Sequence, residues 1–122
     1  AMRYGVGIGR AGFAWSGRAH IAYKRKWPVW TPPNDMIRRQ PELEKWRRGQ
    51  PPGPSNPLGA RALYIHRGNE DTLYRLHGTS EAWTIGKAIS SGCVRLLHQD
   101  IIDLYERVQP GAPMVVLAPA VT

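Results

Sequence analysis

Few residues in this chain can carry covalent chemistry. Cys93 is the single cysteine, set in Ser90-Ser91-Gly92-Cys93-Val94-Arg95. A lone thiol closes no internal disulfide, and the chain has none of the paired-cysteine or HExxH spacings that hold zinc. Cys93 is then either a small buried hydrophobe or a reactive thiol. A thiol attacks as the thiolate, and with an ordinary pKa of about 8.5 it is only slightly ionised at neutral pH, so it needs a base or a positive field close by. Arg95 would share a face with Cys93 in an extended segment, but a guanidinium takes no proton. It can bind an anionic group of a substrate or favour the thiolate.

The base must therefore be a histidine, and the chain has four: His20, His66, His77 and His98. His77 ends a strand-like run in Arg75-Leu76-His77-Gly78-Thr79, where Gly78 and Thr79 break the pattern and leave the imidazole at an edge. His20 and His66 lie within strand patterns and His98 at a helix entry, so these three read as structural or solvent-facing. Gly92 allows a tight turn on which two successive backbone N–H groups, those of Gly92 and Cys93, can face a developing oxyanion. Thiol, base, amide donors and arginine together describe acyl transfer through a thioester.

Several elements must bring these residues together. Residues 3–9 and 18–26 read as early strands. The texture then changes between Trp27 and Pro57, where most of the eleven prolines lie around two short helical candidates at 34–39 and 42–47; this reads as a functional excursion from a sheet. Residues 60–66 and 72–78 read as a hairpin about the turn Arg67–Asp71. Ile101, Leu104, Tyr105 and Val108 have helical spacing within 99–108, with Asp100 and Asp103 early and Arg107 late, as the helix dipole favours. Pro110-Gly111 stops that helix, and 112–119 reads as a last buried strand. The expectation is a mainly β, α+β domain spanning 1–122 with one good helix.

Gly7-Ile8-Gly9-Arg10-Ala11-Gly12 matches the dinucleotide pattern GxGxxG, which works only where a helix follows with its amides facing the pyrophosphate. The residues that follow are β-like, so these glycines are read as serving turns and strand bends.

The chain of 122 residues carries a net charge of +8, with a pI near 10.3. That field attracts polyanions such as nucleic acid, anionic lipid or acidic wall polymer. No apolar run approaches the length of a membrane span, and no nucleic-acid motif is present. Lys24, Arg25 and Lys26, with Arg38, Arg39, Arg47 and Arg48, read as a solvated face. Trp27, Trp30, Trp46 and Trp83 read as core residues before cleft residues.

The stretch from Tyr74 to Val108, "YRLHGTSEAWTIGKAISSGCVRLLHQDIIDLYERV", resembles the catalytic segment of bacterial L,D-transpeptidases of the YkuD type. Their signature is His-Gly-Thr followed by Ser-His-Gly-Cys, a hydrophobic residue and Arg or Asn. The similarity spans about 72–118 and continues more weakly through "YGVGIGRAGFAWSG" and "WPVWTPP". It implies a YkuD-like mixed β-sheet sandwich or barrel with the cysteine at the end of a cleft. It also implies Cys93 as nucleophile and His77 as base, oriented by a backbone carbonyl that by position is that of Gly78. Gly92 and Cys93 would supply the oxyanion amides. Arg95 would hold a substrate carboxylate, with Ser91, Thr79 and Trp83 beside it. Ser91 departs from the family, which has histidine there; because the earlier histidine is the family's base, the change bears on rate rather than reaction type.

The partners so implied are peptidoglycan tetrapeptide stems, as donor and acceptor, or a protein anchored to the wall, with no nucleic acid, and the implied reaction requires neither a metal nor an organic cofactor. The implied location is the periplasm or cell envelope, any leader having been removed, and family members have further strands ahead of this N-terminus. Two other outcomes stay open: a hydrolase in which water resolves the thioester, and a basic binding module without chemistry.

Overall fold

The structure, a computed structural model, describes residues 2–9, 15–53, 55–79, 85–86, 88–90 and 94–117. The strands are β1 (Ile8–Gly9), β2 (Gly17–Lys26), β3 (Arg61–Arg67), β4 (Glu70–Thr79), β5 (Ala88–Ser90), β6 (Val94–Leu97) and β7 (Pro113–Val116). Two α-helices, α1 (Asn34–Arg39) and α2 (His98–Arg107), and a 3₁₀ helix, Pro41–Trp46, complete the elements. Five strands form one sheet in the order β6-β4-β3-β2-β7, and β1 pairs with β5 beside it. The sheet is mixed because β4 and β6 run parallel while its other pairs are antiparallel. This is the mainly β architecture that the alternating apolar pattern implies.

The hairpin β3–β4 turns through Gly68 and Asn69, with Arg67 paired to Glu70. Gly68 has φ 59°, a left-handed value that glycine adopts without steric cost. Two irregularities curl the sheet. The β2–β3 register shifts between Ile21 and Tyr23, so Ile21 joins the core while Tyr23 turns to the other face. The β3–β4 register shifts opposite Thr72–Tyr74, where Leu73 has φ 66° and Thr72 Oγ1 donates to the Ile65 carbonyl at 2.6 Å. Bulges of this kind bend a strand and raise its twist.

One face of the sheet is covered by α2. Leu63, Ile65, Leu96 and Ile101 are fully buried between them, with Ile21, Val94 and Tyr105 adjoining. The helix has Asp100 in its first turn and Arg107 in its last, and Arg107 Nε lies 3.0 Å from Asp103 Oδ2, a favourable i,i+4 pair. It begins at His98, one residue before the expected start. Tyr4 Oη donates to Asp103 Oδ2 at 2.5 Å, tying the N-terminal segment to the helix.

Some boundaries and roles differ from those read in the sequence. Of residues 3–9 only Ile8–Gly9 is strand; three glycines leave that segment with few side chains to pack, so its pairing is fragmentary. The last strand is Pro113–Val116, and residues 118–119 lie outside the described ones. Lys24 is not part of a solvated face: its Nζ donates to the Tyr105 carbonyl at 2.7 Å and lies 4.2 Å from the centre of the Tyr105 ring, placing a cation where the dipole of α2 ends. The proline-rich excursion carries α1 and the 3₁₀ helix, and Asn56 pins it. The Asn56 side-chain amide donates to the carbonyls of Pro28, Gln50 and Pro51, each at 3.1 Å, and its Oδ1 accepts from the Leu58 N–H at 2.9 Å.

Candidate active site

The site is built on the parallel pair β4–β6. Its register aligns Leu76 with Val94, His77 with Arg95, Gly78 with Leu96 and Thr79 with Leu97. Alternation along each strand sends Val94 and Leu96 into the core, where both are buried, and turns His77 and Arg95 together to the opposite face. Cys93 immediately precedes Val94 in the sequence. Cys93, Gly92, Ser91 and Trp83 lie outside the described residues, so what the structure supplies is the strand that starts one residue after the thiol and the histidine paired beside that strand.

His77 is buried, with 5% of its surface exposed. Its Nδ1 lies 2.7 Å from the Gly78 carbonyl oxygen. A carbonyl only accepts, so Nδ1 carries the proton and Nε2 is left with a free lone pair. Burial pushes the His77 pKa down to about 4; the Gly78 hydrogen bond opposes this, and the charges of Arg95 and His98 add to it. The ring is thus neutral at neutral pH, fixed in one tautomer, and able to accept a proton at Nε2.

Gly78 has a second duty that the sequence does not display. A Cβ there would sit 2.5 Å from His98 Cδ2 and 3.0 Å from Ile101 Cγ2. A Cβ on Gly59 would likewise lie 2.8 Å from His98 Nε2, and 3.2 Å from the Gly78 oxygen. The absence of side chains at both glycines lets α2 approach β4 closely and holds the carbonyl that orients His77. His98, expected to be structural or solvent-facing, is exposed yet packs its ring at this contact.

Arg95 is buried, with 6% exposed. Its backbone exchanges hydrogen bonds with Gly7, N–H to O at 2.7 Å and O to N–H at 2.8 Å, and its Nη2 donates to the Ile8 carbonyl at 3.3 Å. The glycine-rich N-terminal segment therefore serves as a neighbour to β6, and the next described element after it is β2 rather than a helix, against a dinucleotide site. Thr79 closes β4, half-buried. His20 and His66 face each other across β2 and β3, ring centroids 6.1 Å apart, away from His77 along the sheet. Among the described residues no cluster of His, Cys, Asp and Glu could hold a metal ion.

Comparison with known families adds what the geometry alone does not. The model of the L,D-transpeptidase catalytic domain, YkuD, matches residues 1–116. The chain belongs to this family. The domain is 38% identical over 111 residues to a probable L,D-transpeptidase, YbiS, of Escherichia coli K12, covering 87% of this chain and 34% of that protein. A match to the solved structure of an L,D-transpeptidase from Mycobacterium smegmatis has a TM-score of 0.59 at 18% identity over 97% of this chain and 49% of that one, which bears on the fold. A solved structure from Brucella melitensis, described as a probable carnitine operon oxidoreductase, is 46% identical with a TM-score of 0.55 over 90% of this chain and 69% of that one. That description names a different activity; the family match and the His77–Gly78 arrangement of this L,D-transpeptidase domain do not point to it. The chain spans between about a third and somewhat over half of the length of the curated relatives it matches. Among the described residues no helix is long and apolar enough to cross a membrane.

Proposed function

We propose that this chain is a single catalytic unit, a cysteine-dependent L,D-transpeptidase acting on peptidoglycan stem peptides in the cell envelope. The observation that carries this reading is the buried, neutral His77, its Nδ1 proton given to Gly78, aligned with Arg95 on the strand that follows Cys93. A buried imidazole N–H needs an acceptor whatever its role; with Nδ1 satisfied by Gly78, Nε2 is the nitrogen left to work as a general base.

In the proposed reaction the Cys93 sulfur attacks the carbonyl between the diamino acid at stem position three and the terminal D-alanine. The thiol proton passes to His77 Nε2, and the amides of Gly92 and Cys93 receive the oxyanion. As the C–N bond breaks, His77 returns the proton to the departing D-alanine amine, leaving a thioester. The side-chain amine of a second stem then attacks, His77 takes the amine's proton and delivers it to the sulfur, and a 3→3 cross-link forms with the thiol restored. A lysine of a wall-anchored protein could serve as the amine in the same step. Arg95 holds a substrate carboxylate, with Ser91, Thr79 and Trp83 along the donor stem.

The test is to incubate the protein with a tetrapeptide stem and read the products by mass spectrometry, with a carbapenem as a second probe. The expected products are cross-linked dimer and free D-alanine, both absent in Cys93→Ala, and a carbapenem mass increment on Cys93. A trimmed tripeptide without dimer would make water the acceptor. Product formation that survives Cys93→Ala would remove the mechanism altogether.

A further inference from the structure

A cleft that the reaction above leaves unused lies two strands from His77. His77 aligns with Ala62 on β3 and Ala62 with Arg25 on β2. Residues aligned this way share a face of the sheet, and at the usual strand spacing Arg25 stands about 10 Å from His77. There Tyr23, Arg25, Lys26, Trp27, Val29 and Tyr64 line a cavity of about 360 Å³, at the small end of the range for ligand sites.

Its walls are aromatic and its rim cationic. Tyr23 and Tyr64 stack with ring centroids 4.3 Å apart, and the Arg25 guanidinium lies 4.6 Å from the Tyr23 ring centre. Trp27, expected in the core, is instead 53% exposed, beside Val29 at 54%. Its backbone is held at φ 49°, with its N–H bound to the Ala60 carbonyl at 2.7 Å. Bulky residues resist that conformation, and such strain persists where the surrounding structure enforces it, often at binding sites. Among the described residues the ion pairs use Arg38, Arg47, Arg75 and Arg107, and Arg25, whose Nη1 donates to the Lys24 carbonyl at 3.1 Å, has no carboxylate partner among them.

We propose that this cleft is a glycan subsite: Trp27 packs against an N-acetylated sugar ring of the wall strand, and Arg25 holds a carboxylate between that sugar and the scissile bond, while the Lys26 ammonium turns to the other face of the sheet over the Tyr105 ring. The inference rests on the function proposed above. A sugar offers C–H faces to an indole while its hydroxyls stay in water, and exposed tryptophan suits such a half-wet partner. A guanidinium on the rim suits a carboxylate. An extended chain advances about 3.5 Å per residue, so three stem residues span about 10 Å, enough to cross from His77 to the β2 side of the sheet where Arg25 and then Trp27 lie. In a stem whose third residue donates the acyl group, three residues separate the scissile bond from the sugar.

Binding is measured by calorimetry in Cys93→Ala, comparing a disaccharide–tetrapeptide with the free tetrapeptide. The disaccharide is expected to tighten binding about tenfold, on the scale of one well-made aromatic contact. In the same background Trp27→Ala should bring that ratio close to one, and Arg25→Gln, at an exposed position, should lower it. No tightening by the disaccharide, or tightening that survives both substitutions, overturns the subsite. So does an equal gain when the tetrapeptide carries an unrelated anionic oligosaccharide, since charge alone would then suffice. Wild-type turnover of the free tetrapeptide is followed in parallel: turnover without a sugar gain overturns only the subsite, and a Trp27-dependent sugar gain without turnover overturns only the transpeptidase reading.

Discussion

Burial keeps the His77 ring uncharged at neutral pH, the state that a general base requires. Its folded pKa near 4 lies below the unfolded value of about 6.5. Between those values the unfolded chain binds the proton and the folded chain does not. Stability is therefore full above about pH 6.5, declines as pH falls toward 4 and levels below it, by about 3 kcal/mol at most. His77→Gln should flatten that acid limb of stability in urea titrations at successive pH values, while abolishing turnover; an unchanged limb would mean that His77 is not held neutral by the fold. The sequence singled out this residue as the candidate base by its place at the end of a strand pattern, and the family resemblance pointed to the Gly78 carbonyl, which lies 2.7 Å from its Nδ1. Trp27 went the other way. Composition favours tryptophan in a core, but the chain turns sharply where β2 ends and carries the indole into water.

At the scale of elements, the contact between α2 and β4 decides where that carbonyl stands. Ile101 is fully buried and cannot retreat from a methyl group placed 3.0 Å from its Cγ2. Gly78→Ala is thus expected to destabilise the fold by about 1–3 kcal/mol, the usual range for overpacking, and to lower kcat by displacing the imidazole. Chemical denaturation and steady-state kinetics check the two effects, and pairing the change with His98→Ala should restore part of both, since one of the two clashes is with that ring. The helix itself was legible to within a residue because apolar spacing, early acid and late base agree locally. The bulges at Thr72–Tyr74 and at Ala22 were not, because they arise from how neighbouring strands stay in register. Asn56 was equally hidden. Its four hydrogen bonds go to backbone groups up to 28 residues away, and nothing in a single serine-asparagine-proline run announces them.

For the whole molecule, a net charge of +8 should hold the protein to an acidic wall by a field that salt weakens. The screening length falls from about 10 Å at 0.1 M to about 3 Å at 1 M. Retention on isolated anionic cell wall is expected to drop steeply over that range and to be the same for Cys93→Ala, as pull-down at graded salt would show; retention indifferent to salt would mean that charge is not the attraction. Charge of this kind could be read from composition since it sums over residues wherever they lie. So could the strand-rich class, because period-two alternation is a local property, and so could the family, because His77-Gly78-Thr79 and Gly92-Cys93 with Arg95 lie close in the chain. What only the tertiary structure decided is which residues share a face: the parallel register that sets His77 beside Arg95, the two glycines that admit His98, and the row from His77 through Ala62 to Arg25. Those depend on hydrogen-bonded register between distant strands, where a shift of one residue would turn every side chain to the opposite side.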